Sequence, residues 1–548
     1  MSSPITNIVV VMLENRSYDN ILGWLYGSGN AAPYNEPPSG QNGLNGLTGS
    51  DSNPGCTSGS DPITVHQSPS TAFPAADPGE LFSDMAQQVF GPAAPSGDPY
   101  TANPMPPMTM QGFTANYAAT NPDVDCGDCM TYFTPAQVPV SAFLANNFAV
   151  CDQWFASVPC QTFTNRMFAV CGAPGVAQTM ILKMPLGEPY SIVDDAQYAL
   201  ANAVWMETAV AEYTSLPSVF QALDVAYPPA DPPGAPNWKV YFFDYSIAAI
   251  TVPYVYRTAI GSGNVNVATY DNSDWPAGSV PTPAIIGDRM GAVPPTFVAD
   301  LNAGTLPKLS FIEPRYATDV ANSNNPPNSN HPGDSALVSF LPGARPIDVT
   351  NGEILLAEIY NALYASPYWK TSLLIITYDE HGGMYDHVPP AAVTSPGTAT
   401  TPGGGTPPVT IPSARDILDP AADGFSFNYS GCRVPAIIVS PWIPAGTTIT
   451  PAGSVPFDHT SIIKTVWECF NLGAGSLTQR DAAAPSLMPF LTASPPNNPG
   501  LYGGVEPPPS SLAGASQPAA ECEKTPEEAQ ALFQARLQKS ARGRAPRT

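Results

Sequence analysis

Residues 8–19 read IVVVMLENRSYD, and this stretch decides the fold class. Its first half, Ile8–Leu13, is an uninterrupted run of apolar, mostly β-branched residues, and Glu14 and Asn15 follow it at once. Such a run predicts a strand that is buried on both faces of a largely parallel sheet. Because the sites of open α/β sheets form at the carboxyl ends of the strands, Glu14 and Asn15 are predicted to be site residues.

Four other segments repeat the pattern of a short apolar run that ends in a polar residue. They are Val240–Phe243 before Asp244, Leu309–Ile312 before Glu313, Leu373–Thr377 before Asp379, and Pro435–Val439 before Ser440. Helical patterns lie between them: a capping box is predicted from Thr350 to Glu353, and an amphipathic helix from about Thr460 to Phe470. Strands that alternate with helices predict an α/β fold.

The composition limits the classes of function. The 548 residues include 20 Lys or Arg against 45 Asp or Glu, a net charge of −25, which argues against nucleic-acid binding. No apolar run approaches the roughly 20 residues of a membrane helix, so no transmembrane segment is predicted. The N-terminus lacks the basic start of a signal peptide, which leaves three expectations open: a mature form, secretion without a visible leader, or a cytoplasmic protein.

The cysteines say less about disulfides and metal binding. Nine is an odd number, so at least one thiol is unpaired within the chain. Cys126 and Cys129 are a close pair, interpreted as a local disulfide or as two loop thiols. A zinc site would need a second pair at similar spacing, and the sequence has none.

Shifts in composition predict three segments. Residues 1–493 form one large domain, the candidate catalytic domain, residues 494–524 a linker rich in Pro, Ser and Gly, and residues 525–548 a short helix with a basic tail. The tail has two interpretations: a solvated segment that docks on the acidic body, or a segment attracted to an anionic membrane.

Two strand ends, some 360 residues apart, carry a predicted metal site. Glu14 and Asn15 follow one strand, and Asp379 and Glu380 follow another. Three carboxylates and one amide supply the hard oxygen ligands that a divalent cation prefers. Taken singly, each could instead be a loop or capping residue.

Four of the five histidines lie after residue 330, each in a polar context, and a fifth, His66, is interpreted as structural. The four are His331, His381, His387 and His459. Histidines near carboxylates are suited to phosphate binding, proton delivery or metal ligation, although a single histidine is more often structural.

A hydroxyl nucleophile is sought between residues 152 and 166, where Ser157, Thr162 and Thr164 are available. Asn165 and Arg166 follow Thr162 by three and four residues and would form an anion-binding arrangement near a helix start. The residue types alone do not show which of the three hydroxyls is the nucleophile.

Taken together, these motifs resemble one family. The matching segments, in chain order, are ENRSYD at 14–19, TFTNR at 162–166, NHP at 330–332, TYDEHGGMYDHVPP at 377–390 and DHTS at 458–461. They are similar to the phosphoesterase family of bacterial phospholipases C, plant non-specific phospholipases C and related acid phosphatases, within the alkaline phosphatase superfamily. The resemblance implies a three-layer α/β/α sandwich with long loops.

The resemblance also implies roles for these residues. Glu14, Asn15, Asp379 and Glu380 would hold one divalent cation, calcium or zinc. The catalytic set would comprise Thr162, His331, His387, His459, Arg166 and Asn165. Thr162 would be the nucleophile and His331 would contact the phosphate, while the separate roles of His387 and His459 stay open.

The implied reaction is a phospholipase C cleavage. A phospho-threonine intermediate would form as the alcohol leaves, and the substrate would be a phospholipid or another phosphoester, with peripheral membrane contact and no nucleic acid as partner. Two alternatives are kept: an acid phosphatase on the same scaffold, and an inactive relative that acts as a binding protein.

The chain departs from the family pattern at two positions. Glu80 stands where the family often has the histidine of a D-P-G-H motif, and Thr164 stands at the proline of T-x-P-N-R. The first change places a carboxylate where an imidazole would face phosphate.

Overall fold

A computed structural model describes residues 4–503 outside a set of gaps. The gaps are 26–44, 58, 74–75, 93–96, 123, 178–179, 182–183, 186–188, 196–215, 229–235, 244–245, 253, 256–266, 270–296, 317–326, 333–347, 405–406, 417–418 and 495. The predicted basic tail, most of the predicted linker and the strand-end residue Asp244 lie outside the described residues.

The centre of the fold is a sheet of eight strands. In chain order they are β1 (Asn7–Leu13), β2 (Ala149–Cys151), β3 (Trp238–Phe242), β4 (Val267–Thr269), β5 (Leu309–Ile312), β6 (Ser372–Tyr378), β7 (Ala436–Val439) and β8 (Thr447–Ile449). Their order across the sheet is β4-β3-β5-β1-β6-β7-β2-β8, and β7 alone runs antiparallel to its neighbours. The five strands predicted from the apolar runs are all confirmed.

Helices cover both faces of the sheet. They are α1 (Phe82–Phe90), α2 (Phe113–Thr120), α3 (Pro139–Asn147), α4 (Thr162–Cys171), α5 (Val219–Ala226), α6 (Ile247–Thr251), α7 (Phe297–Ala303), α8 (Val349–Ala365), α9 (Thr460–Cys469) and α10 (Gln479–Ala483). One layer contains α3, α7 and α8, and the other contains α4, α5, α6, α9 and α10. The predicted α/β/α sandwich is therefore confirmed.

The two central strands are buried from end to end. All seven residues of β1 and all seven of β6 are buried, because helices cover the sheet on both sides. The two strands run parallel and in register from Asn7 opposite Ser372 to Leu13 opposite Tyr378. Their carboxyl ends therefore lie side by side, which brings the residues after Leu13 next to those after Tyr378.

The direction of β7 corrects one expectation. Ser440 follows β7, and its hydroxyl donates to the carbonyl of Ser372, at the start of β6, at 2.9 Å. Because β7 is antiparallel, its carboxyl end lies at the edge opposite the other strand ends. Ser440 is therefore remote from the predicted site.

The predicted capping box is also wrong. Helix α8 is capped by Asp348, whose side chain accepts from the amide of Thr350 at 2.9 Å. The carboxylate of Glu353 accepts instead from the amides of Val140 and Ser141, at 2.6 and 2.9 Å, at the start of α3. One helix thereby supplies the N-terminal cap of its neighbour.

The disulfide differs from the local pair considered above. Cys126 is bonded to Cys56, and Cys129 is a buried free thiol. Among the described residues, no helix combines the length and the apolar character needed to span a bilayer.

Candidate active site

The loops after β1 and β6 build the centre of the site. The Asn15 amide donates to Asp379 Oδ1 at 3.0 Å across 364 residues of sequence, and the Glu380 amide donates to the same oxygen at 2.8 Å. Asn15 has a φ of 55°, a left-handed conformation that asparagine tolerates better than most residues. Gly382 has a φ of 62°, and a Cβ there would lie 2.2 Å from the Asn15 carbonyl oxygen, so this close approach requires glycine.

Arg166 enters this centre from α4. Its Nε donates to Asp379 Oδ2 at 2.9 Å, and its Nη2 donates to the carbonyls of Met12 and Leu13 at 3.2 and 3.3 Å. The guanidinium is buried, so it binds the end of β1 to the Asp379 carboxylate. Arg166 therefore holds the two strand ends in place.

The carboxylates at the two strand ends lack enough neutralising partners. Burial raises the pKa of Glu14, Asp379 and Glu380, and repulsion by Asp379 raises the pKa of Glu14 and Glu380 further. Within the described part of the chain, Glu14 Oε2 and Glu380 Oε1 are buried and accept no hydrogen bond. Buried oxygens of this kind fit a divalent cation, which would offset the repulsion.

Thr162 is the first residue of α4, and it is buried. Its Oγ1 donates to Asn15 Oδ1 at 3.2 Å, which places the hydroxyl at the centre of the site. The partial positive charge of a helix N-terminus is favourable for an anion there.

The two other hydroxyls lie apart. The Thr164 Oγ1 donates to the carbonyl of Ile192 at 3.2 Å, and Ser157 is fully buried. Among the three hydroxyls considered, Thr162 is the one bonded to a predicted metal ligand.

Asn165 shapes the loop in front of α4. Its side chain accepts from the amide of Val158 at 3.1 Å and donates to the carbonyls of Cys160 and Gln161 at 2.7 and 3.2 Å. These bonds fold residues 158–161 back on the helix, so Asn165 positions Thr162 rather than facing the site itself.

Two histidines adjoin the centre. His459 Nε2 donates to the carbonyl of Asp379 at 2.6 Å, while its Nδ1 accepts from the Trp154 indole at 3.3 Å. His331 Nδ1 donates to the carbonyl of Pro332 at 2.8 Å. Burial lowers the pKa of each imidazole to about 4, so both are neutral at pH 7.

His387 belongs to a different group of side chains. Its Nδ1 lies 2.6 Å from Asp19 Oδ2 and its Nε2 lies 2.9 Å from Asn45 Oδ1, beside Asp386 and Arg433. Among the residues described, no hydrogen bond connects it to Glu14, Asn15, Asp379 or Glu380. The structure therefore does not bring this predicted catalytic residue into contact with the predicted ligands.

His381 is buried directly beside the site. Its Nε2 lies 2.8 Å from Gln88 Oε1, and its Nδ1 lies 3.3 Å from Glu380 Oε2. It therefore packs against Glu380, a predicted metal ligand.

Two site residues come from loops that carry no strand-end pattern. Glu80 accepts from Asn15 Nδ2 at 2.7 Å, and burial, followed by repulsion from Glu380, raises its pKa. Asp195 accepts from the amide of Phe163 at 2.9 Å, and burial raises its pKa as well. The sequence marked Glu80 only as a departure from the family, and nothing in the local pattern around Asp195 marked it at all.

Three groups of acidic, histidine or cysteine side chains in the described part of the chain bring their ligand atoms within 4.8 Å of one another. They are Asp77 with Glu80 and His331, Asp19 with Asp386 and His387, and Cys56 with Asp125 and Cys126, whose cysteines form the disulfide. The first of these adjoins the Asn15 side chain. Glu14, Asp379 and Glu380 form no fourth group, and their loops are joined by the hydrogen bonds of Asp379 and Arg166.

Comparisons with known proteins show the family of the chain. A family model described as the phosphoesterase family matches residues 5–473. The chain is 32% identical over 489 residues to non-specific phospholipase C6 of Arabidopsis thaliana, covering 88% of this chain and 71% of that protein. It is 25% identical over 507 residues to phospholipase C A of Mycobacterium tuberculosis, covering 90% of this chain and 78% of that protein. A solved structure, the lipoteichoic acid synthase LtaP of Listeria monocytogenes, aligns with a TM-score of 0.27 and 11% sequence identity. The alignment covers 64% of this chain and 70% of that structure.

Proposed function

Because the chain belongs to the phosphoesterase family and is a phosphoric ester hydrolase, we propose that it is a phospholipase C acting on phosphatidylcholine-like lipids. Its products would be diacylglycerol and the phosphorylated headgroup. The observation that carries this proposal is the hydrogen bond from Thr162 Oγ1 to Asn15 Oδ1, inside a buried group of carboxylates. The names of its plant and mycobacterial relatives support the substrate class.

Four residues would hold the cation of this family. Glu14, Asn15, Asp379 and Glu380 offer carboxylate and amide oxygens, a donor set suited to calcium and accepted by zinc. When bound, the cation would stabilise negative charge on the threonine oxygen and on the phosphoryl oxygens.

Thr162 would act as the nucleophile in two steps. In the first, Thr162 Oγ1 bonds to phosphorus, the bond between phosphorus and the diacylglycerol oxygen breaks, and the proton that leaves the Thr162 hydroxyl is balanced by the one that the diacylglycerol oxygen gains. In the second, a water oxygen bonds to phosphorus, the bond to Thr162 breaks, and the threonine hydroxyl regains its proton. Arg166 and Asn165 support the geometry, through Asp379 and through the loop before α4.

The histidines would have different roles in the reaction. His459 holds the backbone of Asp379 with one nitrogen and accepts from Trp154 with the other, so it serves as a positioning residue. His331 has one nitrogen bound to Pro332 and would contact the phosphate with the other. A role for His387 in the reaction stays a prediction, since its contacts lie in the separate group around Asp19.

The charge of the site favours a diester over a monoester. A phosphomonoester carries nearly two negative charges at pH 7, whereas a phosphodiester carries one. A site rich in buried carboxylates repels the monoester more strongly. The acid phosphatase alternative predicts the opposite preference, which makes the two functions separable by their products.

The test measures phosphocholine and inorganic phosphate released from phosphatidylcholine vesicles. Wild type is expected to release phosphocholine, and Thr162→Ala to lose at least about 10³-fold in kcat, as is typical for loss of a nucleophile. Thr164→Ala is the matched control, because it removes a hydroxyl from the same helix and is expected to stay active. Inorganic phosphate from monoesters, without phosphocholine from the lipid, would establish the phosphatase instead.

A further inference from the structure

His331 is oriented as a metal-binding histidine. Its Nδ1 donates to the backbone carbonyl of Pro332 at 2.8 Å, so Nε2 carries the free lone pair. The side chain is only 6% exposed, and the described group nearest to Nε2 is the carboxylate of Glu80, at 3.9 Å. Metal-ligating histidines commonly use one ring nitrogen in this way, to bind a carbonyl that fixes the ring, and the other to bind the metal.

Two carboxylates converge on the same imidazole. Glu80 Oε1 lies 3.9 Å from His331 Nε2, and Asp77 Oδ1 lies 3.8 Å from His331 Nδ1. One ligand atom from each of the three side chains lies within 4.8 Å of the others. Ligand atoms around one zinc ion at bond lengths of 2.0–2.2 Å are about 3.4 Å apart. Glu80 already lies on the Nε2 side of the ring, whereas Asp77 lies nearest Nδ1 and would have to rotate toward Nε2 to complete the set.

Glu80 belongs to a wider group of buried carboxylates around Asn15. Glu80 accepts from Asn15 Nδ2 at 2.7 Å, and Asp379 accepts from the Asn15 amide at 3.0 Å. Two guanidinium groups adjoin this region: Arg166 donates to Asp379, and the charge of Arg16 acts on Asp77 and His331. A cation bound by Glu80 would offset part of the repulsion among the carboxylates.

We propose that Asp77, Glu80 and His331 form a second cation site, next to the site of Glu14, Asn15, Asp379 and Glu380. One imidazole and two carboxylates are the donors of a first-row divalent cation, Zn²⁺ or Mn²⁺, rather than of calcium, which takes oxygen ligands. Glu80 is the residue that connects the two sites, since its Oε1 also accepts from Asn15 Nδ2 at 2.7 Å. The side chain of Asp77 is 28% exposed, which gives the cation a path from solvent.

The role of this cation deepens the proposed function and rests on it. The second cation would hold a non-bridging phosphoryl oxygen of the substrate, so that His331 acts on the phosphate through the metal. The existence of the site does not depend on that role, and it is measured without substrate.

Mn²⁺ binding to the metal-stripped full chain tests the proposal, with electron paramagnetic resonance used to count the free ion. We expect two Mn²⁺ per wild-type chain and one for Glu80→Gln and for His331→Ala, with thermal unfolding confirming that both variants fold. Glu80→Gln keeps an oxygen that can accept from Asn15, so the position of Asn15 in the first cation site should be preserved. Asp77→Asn, at a partly exposed position, is a third variant should either of the others fail to fold, and it is expected to bind one ion.

His387→Ala is the matched control, because it removes a histidine from the other acidic group and should still bind two ions. A wild-type stoichiometry of one, or a second ion that survives Glu80→Gln, His331→Ala and Asp77→Asn, would overturn the proposal. Loss of the second ion in His387→Ala would place it at Asp19 and Asp386 instead. Two ions without phosphocholine release would refute the proposed function alone, and phosphocholine release with one ion would refute this inference alone.

Discussion

Two groups of side chains in this molecule have the same composition, one histidine and two carboxylates, and very different surroundings. The group of Asp19, Asp386 and His387 contains Arg433, whose Nε donates to Asp386 Oδ1 at 2.9 Å and whose Nη2 donates to Asp19 Oδ1 at 3.1 Å. We call this the closed group, since the guanidinium and the imidazole match the two carboxylates in charge and in hydrogen bonds.

The open group is that of Asp77, Glu80 and His331, in which no guanidinium binds the carboxylate of Glu80 among the residues described. Burial lowers the pKa of His331 to about 4. Burial alone would also lower the pKa of His387, but its hydrogen bond to Asp19 and the charge of that carboxylate raise it instead. A neutral imidazole can bind a metal, whereas a charged imidazole is an ion-pair partner. The guanidinium of Arg433 hydrogen-bonds both carboxylates of the closed group, whereas Arg16 acts on Asp77 and His331 of the open group through its charge.

The largest expected effect comes from breaking the closed group. Arg433→Met would leave Asp19 and Asp386 buried without their guanidinium, and we expect a loss of about 3–5 kcal/mol in stability, measured by chemical denaturation. Lys464→Met is the control, because Lys464 forms only an exposed pair with Glu468 at 3.6 Å. That pair should contribute no more than about 0.5 kcal/mol. Equal losses in the two variants would contradict the view that Arg433 is structural.

A smaller effect is expected when a chelator empties the proposed cation site of Glu14, Asn15, Asp379 and Glu380. Removing the cation restores the repulsion among Glu14, Asp379 and Glu380, so the midpoint of thermal unfolding should fall. The loss is about 2.7 kcal/mol if the cation is present at 100 times its dissociation constant. Re-addition of Ca²⁺ or Zn²⁺ should reverse it, whereas a Glu14→Gln variant should respond less. If the chelator does not change the midpoint of thermal unfolding, the result would argue against a bound cation.

The smallest expected effect is the pH dependence that His387 gives to the closed group. The folded state raises the pKa of His387 above its unfolded value, so the protonated imidazole stabilises the fold. This contribution is fully present below about pH 6.5 and is lost as the pH rises through the folded pKa. The stability difference between wild type and His387→Asn, measured between pH 6 and 9, should therefore shrink. A constant difference would show that the ion pair with Asp19 contributes nothing.

Local patterns explain how much of this site could be predicted. The apolar runs of β1 and β6 are long enough to be recognised as buried strands, and polar residues that follow such strands must lie at a sheet edge. The positions of Glu14, Asn15, Asp379 and Glu380 therefore needed no knowledge of the loops. Thr162 was harder, because three hydroxyls lie in one segment, and only its contact with Asn15 distinguishes it structurally.

The sequence by itself determined the α/β fold class, the central strands and the strand-end carboxylates, because each depends on hydrophobic periodicity within a few residues. Only the tertiary structure decided the direction of β7, the cap that Glu353 supplies to α3, and the pairing of Cys126 with Cys56. It also decided which histidine pairs with Asp19 beside Arg433 and which lies beside Glu80. The reason is physical: burial and charge balance around a side chain depend on segments that are hundreds of residues away, and no local pattern records them.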